Sequence, residues 1–401
     1  MGSALVTGLN AAALFIFFIA VMGARRPDII NNPQLWAEDG AVWFAPAFNG
    51  EAFELLFRPH AGYLNTFSRL VFGAATLLPI EMVPLFANLV GLAVRAGLVL
   101  FFISPVRFSW VDWREKTVLV AYFLLMPNIQ EVHANITNTH WYLGLYLLAL
   151  VLADRPATAA WKIHDLIVLV VAGLSGPFVI FAAPCFIVRD VATGGPKAIS
   201  IQTWLAVILA IIELSFVLTG MGSRPTVVSE ATFEMFLTLV AVRVFASAFA
   251  SYSSLALVDA PLMWLCWVPA LAAAVIVAVR GGWRGWCLML FPALLIAATL
   301  ASPLAPWATL MAAGRYFVAP IVCWIAVLCY AAGLVAPWLK TLYPSILLAM
   351  VVSLSGAFRM DTVGGASFKD SLAPYYAAAP GTPAKVAVTP EGWMMTLVRR
   401  Q

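Results

Sequence analysis

Residues 82–104 read MVPLFANLVGLAVRAGLVLFFIS, an apolar stretch interrupted by one charged side chain, that of Arg95. A helix of this length covers the ~30 Å hydrocarbon core of a bilayer. Similar apolar runs recur at 4–22, 117–128, 139–153, 163–175, 177–188, 200–219, 262–279, 286–303, 317–336 and 343–358. The sequence therefore predicts an all-α, polytopic integral membrane protein with about 11 transmembrane helices.

The composition supports the same fold class. Of 401 residues, 63% are hydrophobic and 10% are charged, whereas typical soluble domains have about 25% charged residues. The mean hydropathy is +0.94. A soluble core cannot bury so much apolar surface, which excludes a soluble enzyme on a membrane anchor. The run 4–22 lacks the basic start of a signal peptide, and we interpret it as the first transmembrane helix.

Charge and cysteine usage exclude further classes. The net charge of +4 is spread over many loops without a basic stripe, so we expect no nucleic-acid partner. All five cysteines lie inside apolar runs without metal-ligand spacing, which is typical of packing residues.

Lysine and arginine in short loops predict the orientation. With a cytoplasmic N-terminus, the cytoplasmic loops hold Arg107, Arg114, Lys116, Arg155, Lys162, Arg189, Lys197, Arg280, Arg284 and Lys340. The opposing short loop 129–138 holds neither lysine nor arginine. This bias predicts a multi-pass protein of the cell inner (plasma) membrane whose C-terminus is extracytoplasmic.

Three stretches on the predicted outer side exceed what a minimal bundle needs. The first loop, 23–81, is long and rich in aromatic residues, and its part 62–80 predicts an interfacial or re-entrant helix, with a spanning helix as the alternative. Residues 221–258 predict a second interfacial segment. We thus expect a transmembrane domain over 1–358 and a small extracytoplasmic tail over 359–401.

An acidic pair stands early in the first outer loop, within the stretch 35–40, LWAEDG. Glu38 and Asp39 are flanked by Trp36 and Trp43, which favours the membrane–water boundary. Partial desolvation there raises a carboxylate's basicity and suits a general base acting on an acceptor hydroxyl. A solvated acidic turn or a helix N-terminus is the alternative interpretation.

A second polar cluster occupies residues 131–141, EVHANITNTHW, on the same predicted side. The functional interpretation is a hydrogen-bonding wall for a polar substrate, and the alternative is helix capping by Asn138 or Thr139. The spacing of Glu131 and His133 is not that of helical metal ligands, and we predict no metal.

Arginines on the predicted outer side form a third set. Arg69 follows the stretch 58–65, RPHAGYLN, Arg315 lies in the stretch 314–317, GRYF, and Arg243 lies in the second interfacial segment. Converging arginines suit a lipid phosphate or diphosphate, whereas a single arginine often snorkels to the headgroups. Arg95 needs a buried partner, and Glu213 is the only acidic residue deep in another run.

These motifs together resemble the GT-C superfamily of membrane glycosyltransferases, in a bacterial member of unassigned substrate. The resemblance rests on 36–40 (WAEDG) after one N-terminal helix, 59–64 (PHAGYL), 138–141 (NTHW) and 314–317 (GRYF). It covers residues 1 to about 336. The sequence departs from the family in having Glu-Asp instead of a DxD spacing, and in its much smaller tail.

The resemblance implies transfer of a sugar from a polyprenyl-phosphate donor, bound from the membrane lipids, to an extracytoplasmic glycan or lipid acceptor. It implies Asp39, or else Glu38, as general base in a single inverting displacement, without cofactor or metal. Carried over to this sequence, the donor phosphate is held by Arg315, Tyr316, Arg69 and Arg243. The sugar or acceptor is lined by His60, Tyr63, Glu131, His133, Asn138, His140 and Trp141.

Two other functions fit the same composition. A lipid-linked sugar transporter or flippase predicts charged residues along a path across the membrane and inverted repeats. In this sequence the polar clusters lie on one side, apart from Arg95 and Glu213, and no inverted repeat is detectable. The other alternative is a membrane acyltransferase or a non-catalytic component of a cell-envelope glycan assembly system. An acyltransferase should have a catalytic histidine at the cytoplasmic side or in mid-membrane, and His164 is the only histidine predicted there.

Overall fold

The computed structural model describes residues 2–51, 53–195, 197–220, 232–300, 313–335, 338, 343–348, 358–362 and 366–400. The helices are α1 (Gly2–Arg25), α2 (Thr66–Ala75), α3 (Val83–Ile103), α4 (Trp113–Leu125), α5 (Thr139–Leu152), α6 (Ala159–Gly173), α7 (Phe178–Gly194), α8 (Ile201–Gly220), α9 (Phe233–Val240), α10 (Trp267–Arg280), α11 (Gly282–Leu300), α12 (Val318–Val335), α13 (Phe368–Ser371) and α14 (Ala373–Ala377). Two strands follow, β1 (Pro383–Val388) and β2 (Trp393–Val398).

The described part of the chain is mostly helical, and within it four helices are long and apolar enough to cross a membrane: Ile80–Ile103, Ile201–Gly220, Gly282–Thr299 and Gly314–Val335. Shorter apolar helices span Leu9–Arg25, Thr139–Leu152 and Trp264–Arg280. The count of about 11 spans and the orientation stay predictions. Of the predicted run 343–358, only 343–348 and 358 lie within the described residues.

The predicted runs 163–175 and 177–188 form two separate helices, α6 and α7. The chain reverses between α6 and α7 at Gly176, whose φ of 119° is disfavoured for residues with a side chain. α5 lies at the centre of the bundle, because nearly all of its side chains are buried. A Cβ on Gly144 of this helix would lie 2.6 Å from the Phe178 ring, so the close packing of α5 on α7 requires glycine.

The loop 126–138 between α4 and α5 defines one end of the bundle, which we call the site end. At the opposite end, Arg107 forms a two-pronged ion pair with Asp165, with both N–O distances 2.8 Å. Its Nε also donates to the carbonyl of Asp154 at 2.9 Å. Both side chains of this pair are buried, so it fixes the loop after α3 against α6.

The first loop and the C-terminal tail share a second, smaller core at the site end. It contains Leu35, Phe44, Phe72, Val386 and Leu397 among its buried members. β1 and β2 pair antiparallel, with Val386 opposite Met395. This hairpin departs from the predicted all-α fold: residues 383–388 alternate between exposed and buried, which is the period of a strand and not of a helix.

The predicted helix in the first loop is α2, inside the range 62–80. Its ten residues span about 15 Å, too short to cross a bilayer, which agrees with the interfacial alternative. Of the second predicted interfacial segment, 221–231 lie outside the described residues. The described part contains α9, a π-helix over Ala241–Ala246 and a helical turn over Tyr252–Leu255.

Candidate active site

The acidic pair begins a π-helix, Asp39–Phe44, directly after the bend at Ala37. Asp39 is 1% exposed. Its two carboxylate oxygens accept hydrogen bonds from the backbone N–H groups of Ile136 at 3.2 Å and Thr137 at 2.7 Å. Burial raises the Asp39 pKa to about 8, although these N–H donors oppose the shift. Asp39 therefore anchors the acidic segment to the loop 126–138.

Glu38 differs from its neighbour because its side chain is only half-buried. His60 lies close enough for the negative charge of Glu38 to raise the His60 pKa. Burial and the positive charge of Arg69 outweigh this effect, so the pKa of His60 is lowered overall. At neutral pH the site thus presents a carboxylate beside a neutral imidazole.

Trp43 holds this part of the site in place. Its indole N–H donates to the hydroxyl of Thr137 at 2.7 Å, and its ring meets the His60 ring edge-on at 5.0 Å. The guanidinium of Arg69 lies 4.7 Å from the Trp43 ring centroid, and its Nη1 donates to the carbonyl of Val42 at 3.1 Å. Arg69 is 5% exposed, so it supports the acidic segment from within.

A tight turn presents His60 and Tyr63. Their backbones pair in both directions, at 2.9 and 3.3 Å, and positions 61 and 62 both have positive φ, which favours glycine at position 62. The next residue, Leu64, donates its N–H to the carboxylate of Glu213 at 3.2 Å. Glu213 is therefore the support of this turn and not the partner of Arg95.

A line of aromatic rings leads from this turn to Arg315. The ring centroids of Tyr63 and His140 are 6.1 Å apart, those of His140 and Trp141 5.5 Å, and those of Trp141 and Tyr316 5.0 Å. The guanidinium of Arg315 lies 5.1 Å from the Tyr316 ring. Four residues from three of the predicted motifs thus form one line of rings that ends at Arg315.

Arg315 forms an ion pair with Glu131 through its Nη1. The backbone N–H of Arg315 also donates to the second oxygen of Glu131, at 3.1 Å. The two side chains remain 29% and 27% exposed, so both reach the surface of the site. The same loop that binds Asp39 therefore also binds Arg315, and both lie at the site end.

Arg243 approaches the same place from the π-helix after α9. Its guanidinium lies 4.3 Å from the ring of Phe317 and 4.9 Å from that of Tyr252. A Cβ on Gly314 would lie 3.7 Å from the hydroxyl of Tyr252 and 3.8 Å from a carboxylate oxygen of Glu131. Tyr252 is a neighbour of the site that the sequence did not single out.

Two predicted site residues point elsewhere. His133 is 1% exposed, and its ring nitrogens face Arg95 at 2.9 Å and the carbonyl of Met22 at 3.0 Å. Asn138 is buried at the N-cap position of α5 but makes no side-chain cap; its amide donates to the carbonyl of Glu131 at 3.0 Å. His133 thus joins the bundle interior, while Asn138 shapes the loop.

Among the described residues, no group of three or more His, Cys, Asp or Glu side chains could hold a metal ion. Comparison with known proteins gives no further guide, because no family model, no curated protein and no solved structure matches the chain.

Proposed function

We propose that the chain is a GT-C-type membrane glycosyltransferase that moves a sugar from a polyprenyl-phosphate donor to an extracytoplasmic glycan or lipid acceptor. The observation that carries this proposal is the loop 126–138, which contacts both the acidic segment and Arg315. A carboxylate, a guanidinium and a line of aromatic rings thereby share one end of the bundle. Glycosyl transfer from a lipid phosphate uses a base for the acceptor hydroxyl and a positive charge for the departing phosphate.

Glu38 is the better candidate for the general base. Both oxygens of Asp39 already accept backbone hydrogen bonds, and its side chain has almost no exposed surface. Glu38 is half-buried and lies beside His60, so it can reach a hydroxyl in the site. In this assignment Asp39 fixes the position of Glu38 and does not itself take a proton from the acceptor.

Arg315 is the candidate for binding the donor phosphate. Its pair with Glu131 uses Nη1, and a guanidinium has five N–H donors, so others remain for phosphate oxygens. Arg243 adds a second buried positive charge nearby. Tyr63 and Tyr316, which are half-buried, offer aromatic surface for the sugar, and the buried Trp141 packs behind Tyr316.

The reaction follows from this arrangement of charge. The acceptor oxygen bonds to the anomeric carbon as the bond from that carbon to the phosphate oxygen breaks. The departing electron pair stays on the lipid phosphate, whose charge Arg315 stabilises. Glu38 receives the hydroxyl proton, and the single displacement inverts the anomeric centre.

The test compares two carboxylates of the first loop in a reconstituted assay. Protein in nanodiscs is given a panel of radiolabelled polyprenyl-phosphate hexoses and pentoses, and transfer to glycan and lipid acceptors is measured. Glu38→Gln should lower the rate by about 10²–10⁴-fold, the usual contribution of a general base. Glu54→Gln, at an exposed position of the same loop, should leave it unchanged.

Two results would contradict the proposal. One is the absence of transfer by the unsubstituted protein with every donor on the panel. The other is full activity in Glu38→Gln, which would remove the assigned base.

A lipid-linked sugar transporter is the second candidate, and one cavity favours it. This cavity, of about 120 Å³, lies towards the end opposite the site and is lined by Phe102, Trp110, Phe123, Tyr330 and other apolar side chains, with Glu115 as the one carboxylate. Such a lining suits a lipid chain. Translocation of a fluorescent lipid-linked sugar by both unsubstituted protein and Glu38→Gln, without transfer, would favour the transporter.

A further inference from the structure

A second polar cluster lies inside the bundle, away from the proposed active site. Its centre is Arg95 of α3, which is 1% exposed. Arg95 Nη1 lies 2.9 Å from His133 Nδ1, and His133 Nε2 lies 3.0 Å from the carbonyl of Met22. Because a carbonyl can only accept, Nε2 carries the proton and Nδ1 accepts from Arg95. His133 is thus a neutral partner and leaves the charge of Arg95 uncompensated.

Several donors of this cluster have no acceptor. Nε and Nη2 of Arg95 and the hydroxyl of Tyr142 are buried and lack a hydrogen-bond partner among the described residues. The guanidinium lies 4.5 Å from the Tyr142 ring centroid, so these groups are neighbours. A buried donor without an acceptor costs about 1–3 kcal/mol, and more when it is charged.

The surrounding charge makes the cluster more unusual. Arg25 is also 1% exposed, and its two terminal nitrogens donate to the carbonyls of Leu124 at 2.9 Å and Met126 at 3.0 Å. The ion pairs found in the described part of the chain involve other arginines. Arg25 Nε also donates to the carbonyl of Phe358 at 3.2 Å. The stretch 349–357, which precedes Phe358, contains no acidic residue in its sequence. Charges at this depth are normally paired.

We infer that Arg95 and Tyr142 bind a small inorganic anion, chloride under ordinary conditions, within the helix bundle. A water molecule would accept the hydrogen bonds but leave the positive charge of Arg95 uncompensated. A halide ion accepts the hydrogen bonds and also supplies a negative charge. A lipid headgroup is too large for the space between Arg95 and Tyr142, because both side chains are almost fully buried. The apolar cavity begins one turn away at Leu98 and Leu145, so the packing beside the cluster is loose.

Thermal unfolding of the purified full chain tests this inference. Chloride is varied against gluconate at constant ionic strength, and unfolding is followed by tryptophan fluorescence. Because an anion that binds only the folded state raises stability, Tm should rise with chloride and then saturate. Bromide should substitute for chloride, and its anomalous signal in a crystal should lie between Arg95 and Tyr142.

Tyr142→Phe removes one donor without changing the packing. The loss of a hydrogen bond to a charged group should raise the chloride midpoint about tenfold or more. Tyr122→Phe is the matched control: this buried hydroxyl donates to the carbonyl of Ala248 at 2.9 Å, so its removal should leave the chloride midpoint unchanged. Arg95→Met should abolish the dependence of Tm on chloride. If Arg95→Met does not fold, the chloride midpoint of Tyr142→Phe tests the inference alone.

Two outcomes would overturn the inference. One is a Tm that does not respond to chloride, and the other is an equal midpoint in Tyr142→Phe and the unsubstituted protein. Either would mean that the rings of Tyr142 and Phe123 alone stabilise Arg95 through cation–π contacts.

Discussion

Glu38 and Asp39 are adjacent in the chain but have opposite surroundings. Asp39 is buried and accepts hydrogen bonds from two backbone N–H groups of the loop 126–138, while the Glu38 side chain is half-buried and its charge acts on His60. Two carboxyl groups side by side in sequence therefore take different roles, because the helical backbone turns their side chains in different directions. The burial of Asp39 also has a consequence for stability that can be measured.

The pH dependence of stability is the prediction for Asp39. Its pKa is raised to about 8 in the folded protein, above the ordinary value near 3.9. The protonated form is thus favoured by folding, so its contribution to stability is fully present below about pH 4 and is lost as the pH rises through about 8. We expect Tm to fall across this range in the unsubstituted protein and to fall less in Asp39→Asn.

Thermal unfolding in detergent between pH 5 and pH 9 measures this difference. Asp39→Asn should also be less stable at low pH by about 1–3 kcal/mol, since its NH₂ group cannot accept the second backbone hydrogen bond. Glu54→Gln serves as the exposed control. Parallel pH profiles for all three proteins would show that Asp39 does not titrate in this range.

At the scale of elements, the acidic segment depends on the C-terminal hairpin. Trp36 pairs with Thr389, whose N–H donates to the carbonyl of Leu35 at 3.1 Å. Asn49 binds the free edge of β2 through the carbonyl of Thr396 at 3.0 Å and the N–H of Val398 at 2.9 Å. The hairpin thus holds the backbone on both sides of Glu38 and Asp39.

Gly40→Ala should weaken this docking. A Cβ at position 40 would lie 2.8 Å from a methyl group of Val388 and 3.3 Å from the sulfur of Met395, so the hairpin must shift. We expect faster cleavage of the tail in limited proteolysis and, under the proposed function, a loss of glycosyl transfer. Gly73→Ala in α2 is the control, because a Cβ there meets nothing within 4 Å and alanine favours helix by up to about 1 kcal/mol. Equal proteolysis of the two variants would argue against the contact.

The sequence predicted the helices well, because an apolar run carries its own signal. It also selected Tyr63, His140, Trp141, Arg315 and Glu131, which the fold brings together. It did not predict the hydrogen-bond partners of Asp39, because these are backbone N–H groups, which every residue except proline has. It named Glu213 as a candidate partner of Arg95, yet Glu213 binds the backbone of Leu64, a contact equally invisible in the sequence.

The tail was the least predictable element. The sequence predicted only a small extracytoplasmic tail, because the prolines and glycines of this segment obscure the alternating pattern of β1 and β2. A short hairpin is only marginally stable alone, so its existence depends on the side chains of the first loop that complete its core. The first-loop residues that stabilise the hairpin are more than 300 positions away in the sequence, so local strand propensity could not predict it.

At the scale of the whole molecule, the predicted orientation can be tested by labelling. Phe57, in the first loop, and Trp113, at the start of α4, are 69% and 68% exposed and lie at opposite ends of the bundle. In a Cys266→Ser background, an impermeant maleimide applied to intact cells should label Phe57→Cys and not Trp113→Cys. Permeabilised cells should show labelling of both. The reverse pattern would place the candidate site in the cytoplasm.

The shared core of the first loop and the tail also constrains the order of biosynthesis. Asn49 and its partner Val398 are separated by 349 residues. At ribosomal speeds of ~5–20 residues per second, the first loop must wait roughly 20–70 s before the hairpin emerges to cover it. During this interval Leu35, Phe44 and Phe48 lack the neighbours that the tail supplies, so we expect lipid or a chaperone to shield them. A bulky fusion placed at the end of the chain would prolong that exposure.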